Sequence, residues 1–265
     1  MKTQRKFSVS GLVTAALVAA VMFGCAAPVL AQTDSAASGA HTRYQQGAVP
    51  STPPAVTFTT LVTFDGTNGA NPGLSPIQGT DGNLYGGTAG GGEYSQGVLF
   101  KMTPSGTLTV LYNFCAESGC PDGKGGAPEV LGSDANLYGS TGGGGASNDG
   151  TIFKFTEHGT LTTLHSFDGS DGSGAEAGLI QANDGNFYGT TSGFGGSNLG
   201  TVFRITPSGE LTVLHNFEGT DGQLSYAPLV QGSNGDLYGT TEFGADMACS
   251  EGCGTVFRVA DGLNP

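Results

Sequence analysis

Three groups of side chains in this sequence could carry chemistry. Glu93, Glu242 and Asp246 are carboxylates that each occur once in a chain that otherwise repeats itself. Two such groups brought to within about 5–9 Å of each other could cleave a glycosidic bond, one as acid and the other as base or nucleophile. Tyr94, Phe194 and Tyr226 are single-copy aromatics, candidates for contact with a ligand. Cys115 with Cys120 and Cys249 with Cys253 form two local pairs, spaced C-x4-C and C-x3-C. Four cysteines also satisfy the arithmetic of a metal site, but these are not the usual zinc-knuckle spacings and no His lies nearby in sequence. If Cys25, the fifth cysteine, is removed with an N-terminal leader, the even count that remains favours two disulfides in an exported chain, Cys115–Cys120 and Cys249–Cys253.

Other motifs read as structure. His165 and His215 stand where other units have Tyr112 and Val62, and a position that accepts valine is a packing position rather than a base. His158 falls in a turn matching Ser105 and Ser208. The run Gly142–Gly145 has no following Lys-Ser/Thr, so it is no phosphate loop. Asp65-Gly-Thr-Asn-Gly and Asp168-Gly-Ser-Asp-Gly resemble calcium loops but lack the bidentate Glu of an EF-hand, and ordinary turns use the same residues. There is no Ser-His-Asp order or nucleophile elbow. No catalytic residue and no cofactor is assigned.

The candidates are positioned by a repeat of about 50 residues. Tyr85, Tyr138, Tyr188 and Tyr238, each followed by Gly, are 53, 50 and 50 residues apart. Gly97-Val-Leu-Phe, Gly150-Thr-Ile-Phe, Gly200-Thr-Val-Phe and Gly254-Thr-Val-Phe follow them. That period is the length of a four-stranded propeller blade. Each unit resolves into strand A (Leu-Ile-Gln type), B (Tyr-Gly type), C (Gly-Thr-Val-Phe type) and D (Leu-Thr-Val-Leu type). For example, residues 200–205 and 210–217 form a hairpin across Pro207-Ser208-Gly209. The D strands lack strict alternation, which implies cover on both faces, as between stacked blades. Tyrosines and phenylalanines present in every unit read as packing, with an aromatic ligand platform as the rival reading.

Three complete A–D sets begin near Leu74, Ala127 and Ala177, and a final A-B-C set runs from Ala227 to Ala260. A D-type segment, Val56–Phe64, precedes them. The expectation is an all-β propeller of four blades, closed by pairing residues 55–64 with the last blade and burying Phe58 and Leu61; the alternative is a piece of a larger ring. In this topology the D-to-A and B-to-C loops share one face. They hold Glu93, Tyr94, Lys124, Phe194, Tyr226, Glu242, Asp246 and both cysteine pairs, whereas the other turns are short and nearly invariant. Variable loops on a rigid scaffold are where binding concentrates.

The recurring Gly-Asn-Leu-Tyr-Gly, Gly-Thr-Val-Phe-Arg and Thr-Pro-Ser-Gly-x-Leu-Thr-Val-Leu sequences resemble the GloVer tandem repeat of bacterial exported proteins, over residues 57 to 260. The resemblance implies export and tandem β repeats, and brings no catalytic residues with it.

Lys2, Arg5 and Lys6 precede an apolar stretch from Val9 to Phe23, and Val29-Leu30-Ala31 supplies small residues for cleavage after Ala31. Residues 1–31 therefore read as a signal peptide, 32–54 as a flexible linker and 55–262 as the repeat domain. A lipoprotein anchor at Cys25 is the lesser alternative, since Met22 and Phe23 suit that signal poorly. The apolar run is too short to span a membrane. Loss of the leader leaves 6 Lys+Arg against 22 Asp+Glu, a net charge of −16. Such a surface repels nucleic acid and anionic lipid. A secreted or periplasmic monomer is expected, binding a glycan or cell-envelope component as a non-enzymatic scaffold. The competing readings are a glycan-active hydrolase or lyase and a purely structural module.

Overall fold

In the computed structural model, residues 56–193, 198–245 and 252–260 are described. The expected leader and linker, with Phe194, Asp246 and Cys249, lie outside them. The chain from Thr57 onward forms one unit. Its described residues contain strands and no helix.

Sheet 1 is β1 (Ile77–Gln78), β2 (Leu84–Gly87), β3 (Val98–Met102) and β4 (Leu108–Asn113). Sheet 2 is β5 (Ala127–Leu131), β6 (Leu137–Thr141), β7 (Thr151–Phe155) and β8 (Leu161–Ser166). Sheet 3 is β9 (Ile180–Gln181), β10 (Phe187–Thr191), β11 (Thr201–Ile205) and β12 (Leu211–Asn216). Sheet 4 is β13 (Val230–Gln231), β14 (Leu237–Thr241) and β15 (Thr255–Val259). Within every sheet the strands pair antiparallel in chain order, as the A-B-C-D reading requires.

The missing alternation in the D strands has a local cause. Leu99 pairs with Tyr112 while Phe100 pairs with Val110, which leaves Leu111 as an extra residue. The same one-residue bulge leaves Leu164 over in sheet 2 and Leu214 in sheet 3. A bulge puts two residues opposite one and re-aims the side chains beyond it, so the period of two breaks there. Double-sided cover is not needed to explain the pattern. The bulged leucines also meet the next sheet: the Leu111 and Leu164 carbonyls lie where a Cβ on Gly159 or Gly209 would approach.

Glycine opens each C strand for a steric reason. Gly97, Gly150, Gly200 and Gly254 have φ of +94°, +97°, +99° and +80°. A Cβ there would collide with the carbonyl oxygen of Thr88, Thr141, Thr191 or Thr241. In three units that same threonine's Oγ1 sits 2.8–3.1 Å from the next strand's threonine hydroxyl, Thr141 to Thr151, Thr191 to Thr201 and Thr241 to Thr255.

The apolar core is divided among the junctions between successive sheets. Tyr85, Leu99 and Phe114 of repeat 1 pack with Leu137, Phe153 and Phe155 of repeat 2. Tyr138, Ile152 and Phe167 pack with Leu179, Phe187, Phe203 and Ile205. Tyr188, Val202 and Phe217 pack with Leu229 and Leu237. Burial of these fully enclosed rings is the main stabilising term, at about 25 cal/mol per Å² removed from water. The repeated tyrosines are packing residues with a polar tip: Tyr85, Tyr138 and Tyr188 donate to Asp81, Asp134 and Asp184 at 2.8–3.0 Å. Polar clamps sit at the rim of each junction. Ser133 N–H donates to Gln181 Oε1 and Asn183 N–H to Gln231 Oε1, at 2.8 and 3.0 Å. Between sheets 1 and 2, where Leu131 replaces that glutamine, Glu157 Oε1 instead accepts from Thr80 N–H and Oγ1.

Residues 56–64 depart from the expectation. They belong to no strand, and among the described residues nothing pairs with the outer edge of β15. Phe58 is 91% exposed and Leu61 47%, against the burial expected of both. The segment is held by its face: Leu61 lies against Gly106 in the β3–β4 turn, and Phe64 packs on Phe100. Those contacts fix its C-terminal end beside sheet 1 and leave Phe58 with nothing to cover it.

Candidate functional site

A cleft of about 350 Å³ opens on the face formed by the D-to-A and B-to-C loops, where repeats 1, 2 and 3 meet. That is the face on which the sequence places the variable loops. Its walls are mostly backbone, with Gly87, Gly126, Ala127, Gly142 and Ala175 among them, so small residues leave the space. Glu129, Ser140, Lys124 and Glu176 supply the polar groups.

Glu129 lies on β5, in line with the apolar Leu179 and Leu229 of the following repeats. Its Oε1 is 2.5 Å from Ser140 Oγ, and its Oε2 accepts from Leu179 N–H at 2.8 Å. Ser140 is itself buried on β6 and also reaches the Ala175 carbonyl. Burial pushes the Glu129 carboxyl up to about 7, although the Ser140 and Leu179 hydrogen bonds pull it down. One repeat along, Thr190 bonds Ser225 at 3.0 Å and the acid's place is taken by Leu179, so the carboxyl belongs to this junction only.

Loop-to-loop pairing holds the mouth. Lys124 N–H donates to Gly143 O at 2.8 Å, and equivalent bridges join Ala70 to Gly90, Ser173 to Gly193 and Gln223 to Phe243. Lys124 Nζ is 2.7 Å from Asn148 Oδ1. The Cys115–Cys120 disulfide forms as expected, and the Cys120 carbonyl accepts from both Gly123 and Gly145 N–H, tying the two loops together. Its formation removes the metal alternative for that pair. Cys253 is also disulfide-bonded; its expected partner Cys249 is not among the described residues.

The described residues nominated from sequence lie outside the cleft. Glu93 and Glu242 are exposed, Tyr94 is 40% exposed and Tyr226 50%, and none of them lines the cleft. Tyr226 stands in the position that Glu176 occupies one repeat earlier. The signal for Glu129 was in the sequence: an acid in one repeat where two others carry leucine. The histidine position is a latch rather than a plain packing site. Tyr112, His165 and His215 bond Asp122, Asp171 and Asp221 at 2.9, 2.6 and 2.6 Å. Asp65 and Asp168 cap their own turns through Thr67 and Ser170, as ordinary turn residues do. No group of three or more His, Cys, Asp or Glu side chains that could hold a metal occurs among the described residues. No helix among them is long and apolar enough to cross a membrane.

The profile of the Gloeobacter/Verrucomicrobia repeat matches residues 30–257, so the chain belongs to that repeat family, as the recurring sequences indicated. Among solved structures it is similar to virginiamycin B lyase from Staphylococcus aureus, at 18% identity and a TM-score of 0.40, over 70% of this chain and 54% of the lyase. A gluconolactonase from Xanthomonas campestris matches at 12% identity and a TM-score of 0.43, over 70% and 61%. A surface component of the type-IX secretion system of Porphyromonas gingivalis matches at 16% and 0.45, over 71% and 24%. The chain thus spans less than two thirds of the length of each. No curated protein matches it.

Proposed function

We propose that this is an exported, non-enzymatic scaffold that binds a glycan or cell-envelope component on its D-to-A and B-to-C loop face. The observation that carries the reading is the 350 Å³ cleft, with Glu129 at its floor and Lys124 and Glu176 around it. A concave site with a few convergent polar groups on a rigid frame is the usual form of a binding site. Glu93, Tyr94, Phe194, Tyr226, Glu242 and Asp246 serve in this reading as outer contacts for a ligand larger than the cleft. Export is supported by the leader-like N-terminus and by the Cys115–Cys120 bridge, which persists in oxidising compartments. A glycan array probed with the purified protein tests it. Binding weakened by Lys124→Ala or Glu176→Gln supports the cleft; binding lost only in Glu93→Gln or Tyr94→Ala moves the site outward. Absence of any hit that responds to either set sinks the reading.

A second reading, a glycan-active hydrolase or lyase, is favoured by one observation: Glu129 and Glu176 line the same cleft. A carboxyl that keeps its proton near neutrality is the form a general acid takes. Release of reducing ends from an array hit, abolished in Glu129→Gln while binding survives, would replace the scaffold reading.

We further propose that the four sheets are propeller blades and that residues 55–64 close the ring by adding a fourth strand to β15. Support comes from Phe64, which takes on Phe100 the place that Phe114 takes on Phe153. Deletion of 55–64 without effect on the thermal melt would count against closure.

A further inference from the structure

Ser140 has one hydroxyl proton and two acceptors beside it, Glu129 Oε1 at 2.5 Å and the Ala175 carbonyl. An ionised Glu129 would leave one of these acceptors without a donor from the protein. A Glu129 protonated on Oε1 satisfies them all: the acid donates to Ser140, Ser140 donates to Ala175, and Leu179 N–H donates to Oε2. The donors that the protein itself supplies therefore favour a neutral carboxylic acid at this half-buried position in the cleft, in agreement with the upward shift that desolvation imposes.

Ionising that acid requires a new donor from outside. The charged side chains around the cleft are Lys124, on the loop before β5, and Glu176, on the loop before β9. The strands packed on β5 are β1, β2, β6 and β9, and from these and the residue just before β9 the groups that reach Glu129 are the Ser140 hydroxyl and the Leu179 N–H. Lys124 is engaged with Asn148, so the cleft's own cation does not serve Glu129. What fits is a ligand with several donors and no acceptor, which is the description of an ammonium group.

We propose that the cleft binds a primary ammonium group, of the kind carried by amino sugars and by ethanolamine headgroups. The ammonium takes the place of the Glu129 proton, which leaves to water or buffer as the complex forms. Its N–H groups donate to Glu129 Oε1 and to the Ser140 hydroxyl oxygen, which loses the acid's proton, and Glu176 adds a second negative charge around the cleft. A chain of net charge −13 draws such cations toward it. The inference rests on the cleft being a binding site and adds the chemistry of what enters it.

Titration calorimetry on the purified protein tests it, with ethanolamine and glucosamine as probes and ethylene glycol and N-acetylglucosamine as their uncharged counterparts. Measurements run from pH 5.5 to 7.5 in two buffers of different ionisation enthalpy. With a carboxyl that titrates at about 7, affinity for ethanolamine should rise about 25-fold over that range, and for glucosamine by less because its own ammonium begins to ionise near the upper end, with close to one proton released per amine at pH 6. Tighter binding of glucosamine than of ethanolamine assigns the sugar source, and the reverse assigns the headgroup. Glu129→Gln, whose amide can still donate to Ser140, should remain folded and lose both the proton release and the pH dependence. Glu176→Gln should weaken binding at every pH without changing the slope. Uncharged counterparts that bind as well as the amines, or amine binding without proton release, would overturn the inference and leave the scaffold reading standing. If array glycans and amines alike fail to bind at the cleft, both readings fall. In the ligand-free protein, an infrared band of protonated carboxyl at pH 6 should be present and should disappear in Glu129→Gln; its absence from the parent overturns the inference by itself.

Discussion

Phe64 packs on Phe100 with ring centroids 5.4 Å apart and planes at 59°, which is the contact Phe114 makes with Phe153 at 6.0 Å and 64°. Phe167 on Phe203 and Phe217 on Phe257 repeat it at 5.6 and 5.3 Å. Three of these rings follow a regular strand and the fourth ends a segment that forms none. The side-chain contact survives without the ladder.

Phe64 should therefore matter to stability as a core ring does, in contrast to Phe58. Phe64→Ala should cost roughly 2–3 kcal/mol, below the 3–5 of a fully buried ring because Phe64 is only partly covered. Phe58→Ala, at a 91% exposed position, should stay within about 0.5 kcal/mol of the parent. Urea unfolding of the two variants checks the pair, and equal losses would contradict the exposure of Phe58.

Gly150 and Gly185 both adopt left-handed backbone, at φ +97° and +83°, but only Gly150 is also walled in, by the Thr141 carbonyl. Gly150→Ala should cost roughly 3–5 kcal/mol, adding a steric collision to backbone strain. Gly185→Ala, with nothing within 4 Å of its Cβ, should cost only the strain, about 1–2 kcal/mol. Melting temperatures in the reverse order would contradict this account of the Gly-Thr-Val-Phe signature.

Glu129 and Asp134 should shape the stability curve on opposite sides. Glu129 is raised by burial from 4.5 to about 7, so the folded chain holds a proton that the unfolded chain gives up between those values. Its contribution is whole below about pH 4.5 and is lost as pH rises to about 7, a fall of at most about 3 kcal/mol. Asp134 is raised by burial but lowered further by hydrogen bonds from Asn136 and Tyr138, so its contribution is present above its usual value of 3.8 and lost in stronger acid. Denaturant unfolding at pH 4.5, 6 and 8 should show the first slope in the parent and not in Glu129→Gln. A flat profile in the parent would contradict a raised Glu129.

Much of this was legible in the sequence, because repeats amplify weak local signals. The Gly-Thr-Val-Phe and Tyr-Gly signatures located β11 and β10 to within a residue, since a steric glycine and a buried tyrosine recur at fixed offsets. The bulge at Leu214 was not legible: it shows as a break in alternation, which double-sided burial mimics. Residues 56–64 carry the Leu-x-x-Phe spacing of a D strand, but that spacing reports the face contacts of Leu61 and Phe64, whereas strand formation depends on an edge to pair with. At the site, the face was legible from its variable loops, and Glu129 was passed over because it interrupts a strand pattern rather than a loop.

The Cys249–Cys253 bridge should appear in a peptide map made without reduction, alongside Cys115–Cys120. Zinc bound at one equivalent, or a cross-link between Cys115 and Cys249, would contradict it. Cys115→Ser with Cys120→Ser should cost about 2 kcal/mol, the low end for a short closed loop. It should also weaken any cleft ligand, because the Cys120 carbonyl is the anchor for Gly123 and Gly145.

The glutamine clamps bear on how such a chain can lengthen. Sheet 3 offers Asn183 N–H to Gln231 on one side and presents Gln181 to Ser133 on the other. A tandem duplication of residues 177–226 would therefore meet, at each new boundary, a partner of the kind it already has. A duplicated second repeat would rely on the other clamp, since Leu131 presents no amide but Ser133 offers Glu157 the same N–H and hydroxyl that Thr80 does. Growth by unequal crossing-over is thus open at both repeats, through glutamine at the third and glutamate at the second.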